Sequence, residues 1–417
     1  MRIKIEQVQF KGGICDIVIE NKNITQIVPA ASGEFDRVID GRGKLASAPF
    51  YNTHCHAAMT LLRGIADNLE LFDWLNNYIW PAEGRMRRED IYIGSKLAML
   101  EMIKSGTVFF NDMYFSPAET VRAAEEMGVR AAIGMIAIDT AAPDKRAEYA
   151  ADCRELWERR GEYSDLIQLT LAPHAIYTVG EAELRKIAER SEAEQLPIHI
   201  HLAETVREVE ECKALHGCSP VEYLDKLGLL GPRTLAAHAV HLSEKDIEIM
   251  SERFVTAAYM PCSNYKLSSG RFQFRKMLDS KVRVTLGTDG CASNDNLSMF
   301  DEMKFGALGA KIQLDTPTAC SASEIFNCAT AAGAEAFGIN GGIIAAGKVA
   351  DIMLIDLDSP MMVADHNPIS NLVWSADSSC VDTVICNGRI LMQNRIVPNE
   401  KEIIAQARRS ARRLLAP

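Results

Sequence analysis

The sequence predicts an α/β protein: a (β/α)8 TIM barrel over residues 49–346 and a small β domain built from both chain ends, residues 1–48 and 347–417, with a C-terminal helix. Three observations predict it. Eight short apolar runs alternate with stretches of helix length, the two ends are rich in strand-like segments, and most histidines fall where the runs end.

At the N-terminus, Ile14–Ile19 and Ile24–Val28 read as strands separated by the polar turn Glu20-Asn21-Lys22-Asn23. The first barrel strand is expected at 45–51. Thr107–Asp112, Arg130–Ala137, Ile167–His174, Pro197–Leu202, Thr234–His238, Phe254–Tyr259 and Val282–Asp289 complete the eight. Between them, Ala118–Met127, Glu181–Gln195 and Pro220–Leu227 carry apolar residues at three- and four-residue spacing, which predicts helices. Ala350–Asp356 and Val381–Ile390 share the character of the N-terminal strands. A doubly wound sheet is the competing architecture. Against a nucleotide-binding version of it, no glycine-rich phosphate loop follows the first strand.

Composition narrows the function. A net charge of −11 argues against a nucleic-acid backbone or an anionic membrane as partner. Charges interrupt every apolar run near Met1-Arg2-Ile3-Lys4-Ile5-Glu6, so no signal peptide is expected, and no apolar stretch is long enough to span a membrane. The 11 cysteines are scattered and contain no C-x-x-C pair, which suits reduced thiols in a cytoplasmic protein. The H-x-E…P-C-x-x-C signature of zinc deaminases acting on flipped bases is missing too.

The chemistry starts at Asn52-Thr53-His54-Cys55-His56. Residues i and i+2 of a strand point to one side, so His54 and His56 can present two imidazoles to one ion. Such a pair alone decides little. Yet His174, His199, His201 and His238 also lie at or near predicted strand ends, as does Asp289, and a barrel gathers those ends at one mouth. His199 and His201 share a side; His201, nearer the strand end, is the better ligand, and His199 is either packed or set behind it. His216 and His366 read as structural or exposed, and His241 as a loop hydrogen-bonder. Neutral imidazoles with one carboxylate suit Zn²⁺, with Fe²⁺ or Mn²⁺ also compatible. His54, His56, His201 and Asp289 would leave room for a water whose pKa the cation lowers. Glu204 is spaced to carry protons beside the metal, or else to sit on a helix N-terminus.

From about residue 40 to residue 390 the chain resembles the amidohydrolase superfamily. The resemblance is to the branch of S-adenosylhomocysteine/methylthioadenosine deaminases and chlorohydrolase-like (ATZ/TRZ-type) enzymes. Besides the first histidine pair it rests on Met59-Thr60-Leu61-Leu62-Arg63-Gly64, Trp80-Pro81-Ala82-Glu83, Ala172-Pro173-His174 and His199-Ile200-His201-Leu202-Ala203-Glu204-Thr205. It continues through Ala237-His238-Ala239-Val240-His241, Ser263-Asn264-Tyr265-Lys266-Leu267 and Leu286-Gly287-Thr288-Asp289-Gly290.

The resemblance implies a barrel flanked by a β-sandwich of the two termini. It implies one divalent metal per subunit, Zn²⁺ first, on His54, His56, His201 and Asp289. His238 would contact the metal's water, Glu204 would protonate a ring nitrogen, and Asp289 would pass the water's proton to the leaving amine. Glu83 and His174 match positions that hold ribose hydroxyls. The fourth strand has no lysine to carry a second metal. The implied reaction is deamination of an adenine nucleoside at C6, giving an inosine-type product and ammonia. Guanine, cytosine, a triazine or another N-heterocycle is the alternative substrate. The partner is then a small molecule, neither nucleic acid nor membrane, with a homo-oligomer compatible. Two departures stand out. Tyr259-Met260-Pro261 replaces a histidine-led triplet and is expected to alter the pocket wall. Met135 stands where relatives can carry an arginine for an amino-acid carboxylate, with Arg146 in a nearby loop. The expected preference is therefore for uncharged 5′-substituents: methylthioadenosine, adenosine or 5′-deoxyadenosine over S-adenosylhomocysteine.

Overall fold

The computed structural model describes residues 1–415. Its centre is one curled parallel sheet. Phe50–His56, Thr107–Asp112, Arg130–Ala137, Ile167–Pro173, Ile198–Leu202, Thr234–His238, Thr256–Tyr259 and Arg283–Leu286 pair in that order. After Gly287 and Thr288 the chain continues into Asp289–Gly290, which pairs with the first strand, Asp289 opposite Cys55. The two ends of the sheet are consecutive pieces of one segment, so the sheet comes round to meet itself. Across this seam the Thr288 N–H donates to the His54 carbonyl, while on the other side the Gly287 N–H donates to the Tyr259 carbonyl of the seventh strand. A Cβ on Gly287 would stand 2.8 Å from the His54 nitrogen, so only glycine lets the strands approach.

These strands are covered on both faces. Phe50–His56 and Thr107–Asp112 contain no exposed residue. That is why they read as continuous apolar runs rather than alternating ones. Helices such as Pro117–Met127, Glu181–Glu194, Pro220–Lys226 and Met299–Leu314 cover the outside. Their bounds match the expected ones closely where these were given. Two expected strands divide. The run 45–51 straddles Lys44–Ser47, which joins the terminal sheet, and Phe50–His56; Pro49 between them has no N–H to give a ladder. Val381–Ile390 is a hairpin, Val381–Cys386 against Arg389–Met392, turning at Asn387-Gly388 with φ of 51° and 76°. Positive φ at both turn residues matches the twist of the paired strands.

The chain ends share an eight-stranded sheet. Lys44–Ser47 pairs antiparallel with Ile352–Asp356, joining the N- and C-terminal parts. Arg2–Phe10, within the strand-rich N-terminal region but given no bounds from the sequence, lies inside this sheet: Ile3, Ile5 and Val8 are buried while charged neighbours point outward. A separate apolar core forms from these residues with Ile17, Ile19, Ile352, Leu354 and Ile385. The expected C-terminal helix is present, and it lies against the barrel. Glu400–Leu415 packs on the barrel helix Arg88–Lys104, with Ala407 and Leu414 joining Leu61, Leu62 and Ile91 in one cluster. Its apolar face therefore completes the barrel side. Ion pairs from Lys104 to Glu400 and from Arg413 to Asp90 hold it there. No helix among the described residues is long and apolar enough to cross a membrane, and none of the 11 cysteines is paired.

Candidate active site

The strand ends bring five imidazoles and a carboxylate together at the barrel mouth. His56 Nε2 lies 3.2 Å from Asp289 Oδ1 and 3.3 Å from His201 Nε2, and His54 Nε2 lies 3.4 Å from the same Asp289 oxygen. Ligand atoms of His54, His201 and His238 fall within 4.8 Å of one another, as do those of His54, His56 and Asp289. Carbonyl acceptors fix the tautomers. His56 Nδ1 donates to the Met113 carbonyl at 2.6 Å, and His201 Nδ1 to the His174 carbonyl at 2.7 Å. Each Nε2 lone pair is left facing inward, the arrangement a metal-binding histidine requires. His54 Nδ1 meets His199 Nε2 at 2.7 Å, which places His199 behind the ligand shell.

The donor set fits a cation. His54 is fully buried, and its Nε2 has no hydrogen-bond partner. Burial pushes the His54 pKa down to about 4 and that of His201 well below the usual range, keeping both neutral. Burial works against charge on His56 as well, yet the hydrogen bond and charge of Asp289 carry it up to about 9. Burial likewise opposes ionisation of Asp289, but the two histidines hold it well below the carboxylate range. The His56–Asp289 pair thus keeps a proton where a divalent ion would place its charge. Asp289 Oδ2 accepts from Ser263 Oγ at 2.6 Å and Ser293 Oγ at 2.9 Å, which orients the carboxylate. Backbone strain marks the same places: φ is +61° at Asp289, +69° at His238 and +51° at Ala203.

Glu204 lies before the helix Val206–His216, whose N-cap is Thr205, so the helix-terminus alternative does not apply. Its carboxyl lines the cavity instead, Oε2 standing 3.6 Å from His238 Nε2 while Ser269 Oγ donates to Oε1 at 3.2 Å. Burial raises the Glu204 pKa, with Asp289 adding to the rise and His238 opposing it. A buried carboxyl whose pKa is raised is suited to carry a proton beside the cage. His238 Nδ1 donates to Asn264 Oδ1 at 2.8 Å, turning Nε2 inward.

The cavity continues to Glu83 and His174. Tyr114 donates to Glu83 Oε1 at 2.7 Å, and burial lifts the Glu83 pKa to about 7. Burial holds His174 down to about 3. The facing wall is apolar: Leu71, Trp74, Leu75, Ile79 and Trp80 from one helical stretch, with Ile136 from the third strand and Ile138 just beyond it. That stretch runs through Leu71–Trp74, a π-turn at Leu75–Ile79 and Trp80–Glu83. Pro81 has no N–H for the ordinary ladder, and the widened turn just before it places Trp80 N–H on the Leu75 carbonyl.

Most expected site residues meet here: His54, His56, His201, His238, Asp289, Glu204, Glu83 and His174. Two do not. Met135 is 4% exposed and, with Arg146, Cys153 and Trp157, borders a neighbouring groove that Ile136 and Ile138 also line, whereas the cavity beside the cage is lined by Ile136 and Ile138 and not by Met135. Tyr259 is also turned away. It is buried against Phe272 at 4.3 Å and hydrogen-bonded to Tyr265, so it does not form the pocket wall. His241 donates to the Ser269 carbonyl, as a loop hydrogen-bonder. Sequence reasoning gave no role to Ser263 and Ser293, nor to Tyr114 and Trp74. Ser263 stood in a quoted motif, whereas an aromatic wall has no spacing signal.

Along most of its length the chain is similar to known proteins. The model of the amidohydrolase family matches residues 46–391. A 5′-deoxyadenosine deaminase of Methanospirillum hungatei is 47% identical over 92% of this chain and 86% of its own length. A 5-methylthioadenosine/S-adenosylhomocysteine deaminase of Archaeoglobus fulgidus is 43% identical over 96% of this chain and 95% of its own. Among solved structures, an adenosine deaminase from Xanthomonas campestris with bound zinc superposes with a TM-score of 0.93 at 32% identity, covering 99% of this chain and 98% of that one. The family model spans most of the sequence and every residue of the histidine cage, and the chain belongs to the amidohydrolase family.

Proposed function

We propose that this protein is a metal-dependent aminohydrolase that converts an adenine nucleoside to its inosine-type product and ammonia by attack at C6. Adenosine, 5′-deoxyadenosine, methylthioadenosine and S-adenosylhomocysteine are the substrates considered. One observation carries this: the buried Glu204 carboxyl, its pKa raised by burial, and the inward Nε2 of His238 share a cavity with a cage of histidines closed by Asp289. The relatives named above, similar along nine-tenths of the chain, support the nucleoside.

His54, His56, His201 and Asp289 would hold the ion, which we take as Zn²⁺, with Fe²⁺ or Mn²⁺ chemically compatible. When bound, a divalent cation lowers the pKa of a water toward neutrality and so supplies a nucleophile at ordinary pH. The protein's own groups then manage protons and orientation. Glu204 delivers its proton to ring N1, drawing electrons from C6. His238 Nε2 holds the incoming oxygen, and the Asp289 carboxylate takes that oxygen's proton and returns it to the departing amine. Glu83 and His174 hold the ribose hydroxyls at the far end of the cavity. In this reading the barrel, 49–346, carries the chemistry. The chain ends, 1–48 and 347–417, make a small β-sandwich domain whose final helix leans on the barrel.

Glu204→Gln tests the assignment. Its kcat should fall about 10²–10⁴-fold, the usual worth of a positioned acid, with metal content unchanged. The readout is the absorbance change as adenosine becomes inosine. Near-normal turnover would remove Glu204 from the mechanism. Activity on free guanine or a triazine, with none on nucleosides, would overturn the substrate class.

A further inference from the structure

Behind Glu204 lies a second buried carboxylate that no step above uses. Glu208 is 2% exposed, and no lysine, arginine or histidine pairs with it among the described residues. Its Oε1 accepts the Ala203 N–H at 2.7 Å and its Oε2 the Glu204 N–H at 2.9 Å. Thr205 is the N-cap of the following helix and Glu208 its third residue, so the sequence has the form of a capping box. Three other helices here close that box in the ordinary way. Glu222, Asp246 and Glu324 each reach back to the N–H of their own N-cap serine. Glu208 reaches past its cap and takes the two N–H groups before it.

Those two groups belong to a strained turn. Ala203 holds φ at +51°, in the left-handed region that costs a non-glycine residue free energy. The turn carries the chain out of Ile198–Leu202 and aims the next side chain, Glu204, into the cavity. Converging backbone N–H groups of this kind form an anion-binding concavity, and Glu208 fills it from inside the protein. The Ala203 carbonyl is engaged as well, accepting from Val240 at 3.1 Å and His241 at 2.9 Å, just after His238.

We propose that Glu208 is a positioning residue. By occupying both N–H groups of the Ala203–Glu204 turn, it sets the direction from which the Glu204 carboxyl meets the substrate ring. The inference rests on Glu204 being the proton donor. The test uses the zinc-loaded full-length protein as Glu208→Gln, Glu208→Ala, Glu204→Gln and the double Glu204→Gln/Glu208→Gln variant, measuring kcat, KM and bound zinc. In Glu208→Gln one N–H meets an amide group in place of an acceptor. We expect kcat to fall about 10–100-fold, as for groups that orient a reacting residue, with KM and zinc content unchanged. The double variant should be no slower than Glu204→Gln alone, because Glu208 acts only through Glu204. Added formate should restore part of the rate to Glu208→Ala by refilling the concavity. Normal kcat in Glu208→Gln overturns the proposal, as does a double variant slower than Glu204→Gln, or a loss that tracks lost zinc. If Glu208→Ala does not fold, the isosteric Glu208→Gln and the double variant decide. If Glu204→Gln turns over normally, the acid assignment has failed and this inference falls with it; if only Glu208→Gln is normal, the acid assignment stands.

Discussion

The two walls of the cavity, the histidine cage and the helical stretch at 71–83, differ in how they are made. On the cage side, His56 and His201 spend their outer nitrogens on carbonyls, His238 on Asn264, and Asp289 is held by two serines. Its groups come from strand ends in a closely packed interior and have one orientation each. On the opposite side, Trp74, Leu75 and Ile79 offer apolar surface from short turns joined by a π-turn. No ladder of neighbouring strands fixes them. The contrast teaches where specificity and chemistry separate: the cage decides what reaction is possible, while the apolar wall decides which molecule fits.

The largest effect expected is on the cage. His56→Ala should abolish turnover and lose bound metal. Chelation of the unaltered protein should silence it and lower its Tm, since an ion that binds only the folded state stabilises that state. Adding zinc should restore the chelated protein but not His56→Ala. Full metal content in that variant, or activity surviving chelation, would contradict the cage.

Glu83 sits at the junction of the two walls and should show an intermediate effect. Charge-assisted hydrogen bonds contribute about 1.5–3 kcal/mol, so Glu83→Gln should raise KM for adenosine roughly 10–100-fold with a smaller change in kcat. Burial has lifted this carboxyl to about 7, so it is ionised only above that pH. KM should therefore rise as pH falls through about 7 and become flat with pH in Glu83→Gln. An unchanged KM in that variant would remove Glu83 from ribose recognition.

The cage was almost wholly readable from the sequence because burial on both faces makes barrel strands into apolar runs, and a polar residue at the end of such a run is conspicuous. His54, His201, His238 and Asp289 stand out for that reason. The start of the first strand and its seam with the eighth were less legible, since Pro49 acts at the one through a missing N–H and Gly287 at the other through a missing Cβ. The bounds of Arg2–Phe10 were not drawn because its outward charges break the apolar pattern that its inward Ile3 and Ile5 complete. Side-chain direction was the hardest quantity. Motif matching places Met135 and Tyr259 beside the site along the chain, but only strand geometry shows that both point away from it.

Met135 provides the smallest expected effect and the sharpest test of that lesson. The preference for uncharged 5′-substituents assumed that this thioether stands in the substrate's path. The cavity meets Ile136 and Ile138 instead, while Met135 packs behind the strand. Met135→Leu, a nearly volume-conserving change costing less than about 1.5 kcal/mol, should leave the ratio of kcat/KM for methylthioadenosine and S-adenosylhomocysteine where it was. A ratio that shifts several-fold would mean that the third strand presents its other face to the substrate, and that the apolar wall as described is wrong. An unchanged ratio leaves Ile136, Ile138 and the 71–83 stretch as the groups that choose among 5′-substituents, because they are the apolar side chains that line the cavity opposite the cage.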